Sequence, residues 1–267
     1  MENDNKDYYI KVENVCKFYK NIPVIKNANL TIRSGDRIGI VGPNGAGKTT
    51  FVETLAQLRP YESGSIDRIY GIKVGMQLQG SKYPRGFSPW NLVKYYLKTF
   101  KIKISTKELK NLFYRLSLET MLYKDISKMS GGQQQRVDLL LALCYRPDIL
   151  ILDELSTGLD IDIKQNVHKL IEDFLQEENK ALVLISHNLE EIQMYCNRIL
   201  FINNGEIILD KTTKEILEET KTVEEYVHLK FKEYNIGQYR MSAKSTIEEK
   251  SNEKWEIEWN NYIKKTK

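Results

Sequence analysis

Two groups of residues in this 267-residue chain have the types and spacing for phosphate chemistry. Gly42-Pro43-Asn44-Gly45-Ala46-Gly47-Lys48-Thr49 fits G-x-x-x-x-G-K-[ST], and it lies between an apolar run, Arg37 to Val41, and a helical pattern, Phe51 to Leu58. Glycines let successive backbone N–H groups converge on phosphate oxygens, and the helix that follows points its partly positive end at the same anion. Lys48 is then a point charge for the β and γ phosphates, Thr49 offers a hydroxyl to magnesium, and Thr50 continues the nucleotide-binding run. The second group is Asp153-Glu154, at the end of the apolar strand Ile149 to Leu152. An Asp-Glu pair alone is more often a solvated loop. Behind such a strand and downstream of a phosphate cradle, Asp153 reads as the magnesium carboxylate and Glu154 as the base that orients and deprotonates a water.

These side chains must be held at the ends of strands. Arg37 to Val41, Ile149 to Leu152 and Ala181 to Ile185 are short, nearly continuous apolar runs, as expected for parallel strands covered by helices on both faces. Each leads through a polar or glycine-bearing turn into a helical pattern, which predicts an open α/β sheet with ligands at the carboxyl ends of its strands. Alternation in Tyr8 to Val15 and Ala28 to Ile32 predicts amphipathic antiparallel strands joined by a turn at Asn21-Ile22-Pro23. A helical block runs from about Pro89 to Arg146, with Ser105-x-x-Glu108 as a capping box before Leu109, Leu112, Phe113 and Leu116. Arg198 to Asp210 reads as two strands turning at Asn203-Asn204-Gly205. Thr212 to Tyr226 reads as one or two helices, and the Lys/Glu-rich text from 236 to 267 as an extension of uncertain structure.

Composition bounds the partners. Forty basic against thirty-six acidic residues give a net charge of +4, too mild to predict nucleic-acid binding. Cys16, Cys144 and Cys196 have neither zinc spacing nor a disulfide pattern, and read as buried thiols in a reducing compartment. No apolar run approaches the roughly 18 residues of a membrane span, and Met1 to Asp7 is acidic and polar, so a cytoplasmic location is expected.

Met129-Ser130-Gly131-Gly132-Gln133 places a small hydroxyl and bare backbone donors at the start of a helical stretch, Gln134 to Tyr145, which makes a second anion-binding surface. It resembles the LSGGQ signature of the ATP-binding cassette (ABC) family, with Met for Leu. Other motifs of that family appear in order over Tyr8 to Glu219. Gln79 resembles the Q-loop glutamine that touches magnesium, with Gln77 the competing assignment. Ser156-Thr157-Gly158-Leu159-Asp160 resembles the D-loop, His187 the switch histidine that contacts the γ phosphate, and Tyr19 the aromatic that stacks on adenine, with Phe18 the alternative. Leu155 departs from the proline usual at that place.

The resemblance implies an α/β nucleotide-hydrolase core (residues 1–235) with an N-terminal antiparallel β subdomain and an inserted helical lobe, about 80–146, that carries the signature. It implies ATP and Mg2+ as ligands. It also implies a second cassette, so that the signature of one closes on the γ phosphate held by the other, and a separately encoded membrane permease at the inner face of the membrane. The text around Gln79 is most similar to two-component exporters of the multidrug and antibiotic efflux type. Tyr83 to Trp90, with Arg85, would lie near the groove where such permeases dock, although Trp90 could equally pack the lobe's own core. The alternative is an ABC ATPase of an assembly or scaffold system, such as the iron-sulfur type, uncoupled from transport.

Overall fold

The computed structural model describes residues 6–77, 83–155 and 159–234. Gln79, residues 156–158 of the D-loop and the extension 236–267 lie outside them. Strand β1 (Ile10–Tyr19) returns as β2 (Ile22–Ile32) through Lys20 and Asn21, both at positive φ, 49° and 65°. Two successive left-handed residues make the hairpin turn whose twist suits antiparallel strands. The turn therefore falls earlier than Asn21-Ile22-Pro23, and Ile22 and Pro23 already pair with Tyr19 and Phe18. Proline is tolerated there because β2 is an edge strand of its sheet. Alternation in β1 is interrupted at Asn14 (φ 51°), where the register jumps from Val12 to Val15 and returns Val15 to the interior. Strand β4 (Ser63–Arg68) pairs with the other side of β1, giving the order β2-β1-β4.

The larger sheet has the order β5 (Val74–Gln77), β6 (Ile149–Asp153), β7 (Ala181–Ile185), β3 (Arg37–Val41), β8 (Arg198–Asn203), β9 (Glu206–Thr212). All its pairings are parallel except β8 with β9. Every residue of β6 and β7 is buried, the physical meaning of their unbroken apolar runs. The protein is thus an α/β fold with a mostly parallel sheet and a separate antiparallel one. Helix α1 (Lys48–Leu55) drops Phe51, Val52 and Leu55 into the core that includes Ile10, Ile40, Ile151 and Val183. It begins at Lys48 rather than Phe51 because Gly47, at φ 100°, lets the chain enter the helix at once, and it ends before Leu58, which is exposed.

Helices α2 (Pro89–Thr99), α3 (Thr106–Arg115) and α4 (Gly131–Cys144) form the helical lobe. The capping box at Ser105 is only half formed. Ser105 Oγ accepts from Glu108 N–H at 3.1 Å, but the Glu108 carboxylate pairs with Arg146 instead of returning to Ser105. Reciprocal boxes close at Ser130/Gln133 and Thr212/Glu215. The buried Arg136 guanidinium donates to the Leu116 and Ser117 carbonyls at 2.8 and 2.9 Å, tying α4 to the end of α3. Trp90, half-buried, packs on Phe113, ring centroids 6.0 Å apart, so it contributes to the lobe's own packing.

The chain continues as α5 (Ile161–Gln176), α6 (Leu189–Tyr195), α7 (Thr213–Glu219) and α8 (Val223–Glu233). The stretch after Thr212 is therefore two helices, the second running past Tyr226. Cys144 and Cys196 are buried, and burial pushes both thiols up, Cys144 to about 12. Cys16 is only half-buried, its sulfur hydrogen-bonded to Asn27 in the β1–β2 bulge. Among the described residues no helix is long and apolar enough to cross a membrane.

A phosphate cradle beside an acid pair

The carboxyl ends of β3, β6 and β7 converge on a cavity of about 500 Å3, whose lining includes Val24, Asn44, Gly45, Gly47, Lys48, Thr49, Thr50, Asp153, Glu154 and His187. Two groups far apart in sequence are thereby brought onto one surface. The loop between β3 and α1 is shaped by contacts that only glycine permits. A Cβ at Gly42 (φ 149°) would lie 2.0 Å from the Ile202 carbonyl oxygen, and one at Gly47 2.4 Å from that of Val24. The turn expected at Asn203-Asn204-Gly205 forms, with Asn204 and Gly205 at φ 48° and 82°. It also braces the loop: Gly205 N–H donates to the Ala46 carbonyl at 3.0 Å, and its own carbonyl accepts from Lys26 N–H at 2.8 Å.

Lys48 is 8% exposed, and its ammonium donates to the Gly42 and Pro43 carbonyls, both at 2.9 Å. Burial lowers its pKa, against the pull of Glu154 and Asp153. Thr49 Oγ1 donates to Asp153 Oδ2 at 2.8 Å. Asp153 is buried, and burial raises its carboxyl pKa despite the Thr49 hydroxyl and the Lys48 charge. A carboxylate so placed gains from a cation, and its Thr49 neighbour supplies a second oxygen. This donor set suits a hard ion that arrives with substrate phosphates and keeps waters, rather than one held in an all-protein cage. Glu154 follows at φ 62°, and its Oε1 lies 3.4 Å from His187 Nε2.

Other residues singled out in the sequence stand apart from this cavity. Ser130, Gly131, Gly132 and Gln133 open α4, with Ser130 and Gly131 exposed. Asp160 caps α5 with an exposed side chain that makes no capping bond. Tyr19 and Phe18 are 40% and 38% exposed, and neither lines the cavity. The Tyr19 ring instead has the Lys17 ammonium 5.4 Å and the Arg59 guanidinium 5.9 Å from its centroid. Gln77 ends β5 with its Oε1 buried and, among the described residues, without a hydrogen-bond partner. Three contributors were not foreseen: Val24 as a wall, Gly205 as a brace, and Gln135, whose amide nitrogen reaches the Glu154 carbonyl at 2.5 Å. Each acts through a contact distant in sequence, where spacing carries no signal.

The family profile described as ABC transporter matches residues 25–157. The linearmycin resistance ATP-binding protein LnrL of Bacillus subtilis is 26% identical over 220 residues, covering 78% of this chain and 70% of the relative. The phosphonates import ATP-binding protein PhnC 2 of Halalkalibacterium halodurans is 30% identical over 237 residues, covering 79% and 97%. Among solved structures, the dimeric post-hydrolysis state of the ATP-binding cassette MJ0796 bound to ADP and Pi shares the fold. Its TM-score is 0.66 at 24% identity, over 76% of this chain and 98% of that one. With the cradle, the acid pair and these relatives in view, the chain belongs to the ABC transporter family and is an ATP-binding ATPase of it.

Proposed function

We propose that this protein is the nucleotide-hydrolysing subunit of an exporter, in which two cassettes close on Mg·ATP and drive a separately encoded membrane permease. The observation that carries the hydrolytic part is the single cavity in which Lys48, the Thr49/Asp153 pair and the Glu154/His187 pair meet. Backbone N–H groups of the loop and the third donor of Lys48 hold the β and γ phosphates. Thr49, Asp153 and Gln79 would hold magnesium, whose charge would neutralise and orient those phosphates. Glu154 takes a proton from a water as its oxygen attacks the γ phosphorus, and the bond to the ADP oxygen breaks. His187 stands beside the same carboxylate to contact the γ phosphate. Tyr19 offers the exposed aromatic for adenine. Ser130 to Gln133 and Asp160 lie on surface that a second cassette can reach.

Export is supported by the likeness around Gln79 to efflux cassettes and by a linearmycin-resistance relative, while other relatives of comparable identity are named for import. The permease is the partner that confines the protein to the inner face of a membrane. The test joins enzymology to capture. Glu154→Gln should keep ATP binding and lose turnover about a hundredfold or more, and with ATP it should bring a polytopic protein out of gently solubilised membranes. Wild-type turnover in that variant removes Glu154 as the base. Recovery of soluble partners only overturns transport coupling, and a permease served by an extracellular binding protein overturns export.

A further inference from the structure

We propose that Gln135 is a positioning residue that holds Glu154 in its working conformation, so that the helical lobe of this chain sets the geometry of its own acid pair. The inference rests on Glu154 acting as the base. Glu154 is a non-glycine residue at φ 62°, a left-handed conformation that a side chain adopts only where its surroundings impose it. Two hydrogen bonds impose it, from two parts of the molecule. The Glu154 N–H donates to the Ile185 carbonyl at 2.9 Å, which ties it to the core strand leading to His187. The Glu154 carbonyl accepts from Gln135 Nε2 at 2.5 Å, and the same amide reaches the Leu155 carbonyl at 3.4 Å.

Gln135 comes from α4, one turn after Ser130 and Gly131. Asp138, three residues further on the same helix, is buried and accepts from the Tyr83 hydroxyl. Residues three apart share a helix face, so one face of α4 grips both the turn after Asp153 and the start of the lobe at Tyr83. Leu155 has no proline ring to lock its φ, so the hydrogen bonds to Ile185 and from Gln135 carry that constraint instead. Gln135 is absent from the cavity lining and acts on the reaction only through Glu154. A rotation of the lobe that lengthens the Gln135 contact releases the Glu154 backbone, and with it the 3.4 Å relation of the carboxylate to His187.

Gln135→Met keeps the length of the side chain and removes the donor. Gln135→Glu keeps its shape and turns an oxygen toward two carbonyls. Both are assayed beside Glu154→Gln for ATP turnover, KM, equilibrium ATP binding and thermal unfolding. Expected is a fall in kcat of about tenfold for Gln135→Met, and more for Gln135→Glu, with KM and ATP affinity within about twofold of wild type. Wild-type kcat in both variants overturns the inference, as does a loss of kcat that tracks loss of ATP binding or of fold, because a structural role then suffices. Glu154→Gln separates the two levels. If it turns over at the wild-type rate the base assignment falls; if it is inactive while Gln135→Met is normal, only the role of Gln135 falls.

Discussion

A Cβ at Gly42 would lie 2.0 Å from a backbone oxygen of β8, and one at Gly47 2.4 Å from a backbone oxygen of β2, whereas a Cβ at Gly131 meets nothing within 4 Å. The phosphate loop needs Gly42 and Gly47 because the chain's own backbone closes in on them, while Gly45, with open space around a Cβ, is favoured by its φ of 78°. Among the described residues nothing requires Gly131 at the start of helix α4: it is exposed, lies in the first helical turn, and would gain helix stability as almost any other residue. Two glycine-bearing motifs that look alike in sequence therefore answer to different constraints. One is built against the core. The other is kept bare toward the outside, where the proposed second cassette brings its nucleotide.

That contrast can be broken at either end. Gly42→Ala adds a methyl group against the Ile202 carbonyl at a φ that L side chains rarely adopt, and should cost about 3 kcal/mol or more of stability, read by thermal or denaturant unfolding. A melt within experimental error of wild type would show that the loop relaxes freely and that its glycines are not imposed by packing. Gly131→Asp should do the reverse. An acid in the first turn of a helix is favourable, so stability should change by no more than about 0.5 kcal/mol, while turnover should fall about a hundredfold if, as proposed, the second cassette's phosphate approaches this surface. An effect smaller than the turnover loss at Gly131→Asp is expected at Ser130→Ala, which removes the cap of α4 at 3.3 Å and should cost about 1 kcal/mol of stability. If Ser130→Ala destabilises as much as Gly42→Ala, the two ends are equally structural and the contrast fails.

The fold was legible wherever burial is two-sided. β3, β6 and β7 announce themselves because a strand between two helical layers has no polar face, and the cradle is readable because its glycines and lysine are contiguous. β4 was not legible: Ser63 to Arg68 is largely exposed and polar, and only its pairing with β1 makes it a strand. β5 is four residues long, and its Gly75 is required by the Ala142 carbonyl, 2.7 Å from a Cβ there, a contact that no local pattern announces. Glu108 had the spacing of a capping box but found a stronger partner in Arg146, and a charged partner outcompetes a return to the helix start. In the site, Lys48, Thr49, Asp153, Glu154 and His187, which line the cavity, could be read from motif and strand, whereas Val24, Gly205 and Gln135 act from elements distant in sequence or across the lobe boundary, where no local pattern points to them.

Two anion-directed faces on one chain, proposed to serve different nucleotide sites, require a second chain to complete each site, and the mass of Glu154→Gln in solution reads whether one is recruited. With saturating ATP its molar mass by light scattering should double, and adding Gly131→Asp to the same chain should return it to the monomer while ATP stays bound. A Glu154→Gln protein that remains monomeric when saturated with ATP, or a double variant that dimerises as well as the single one, would contradict the account.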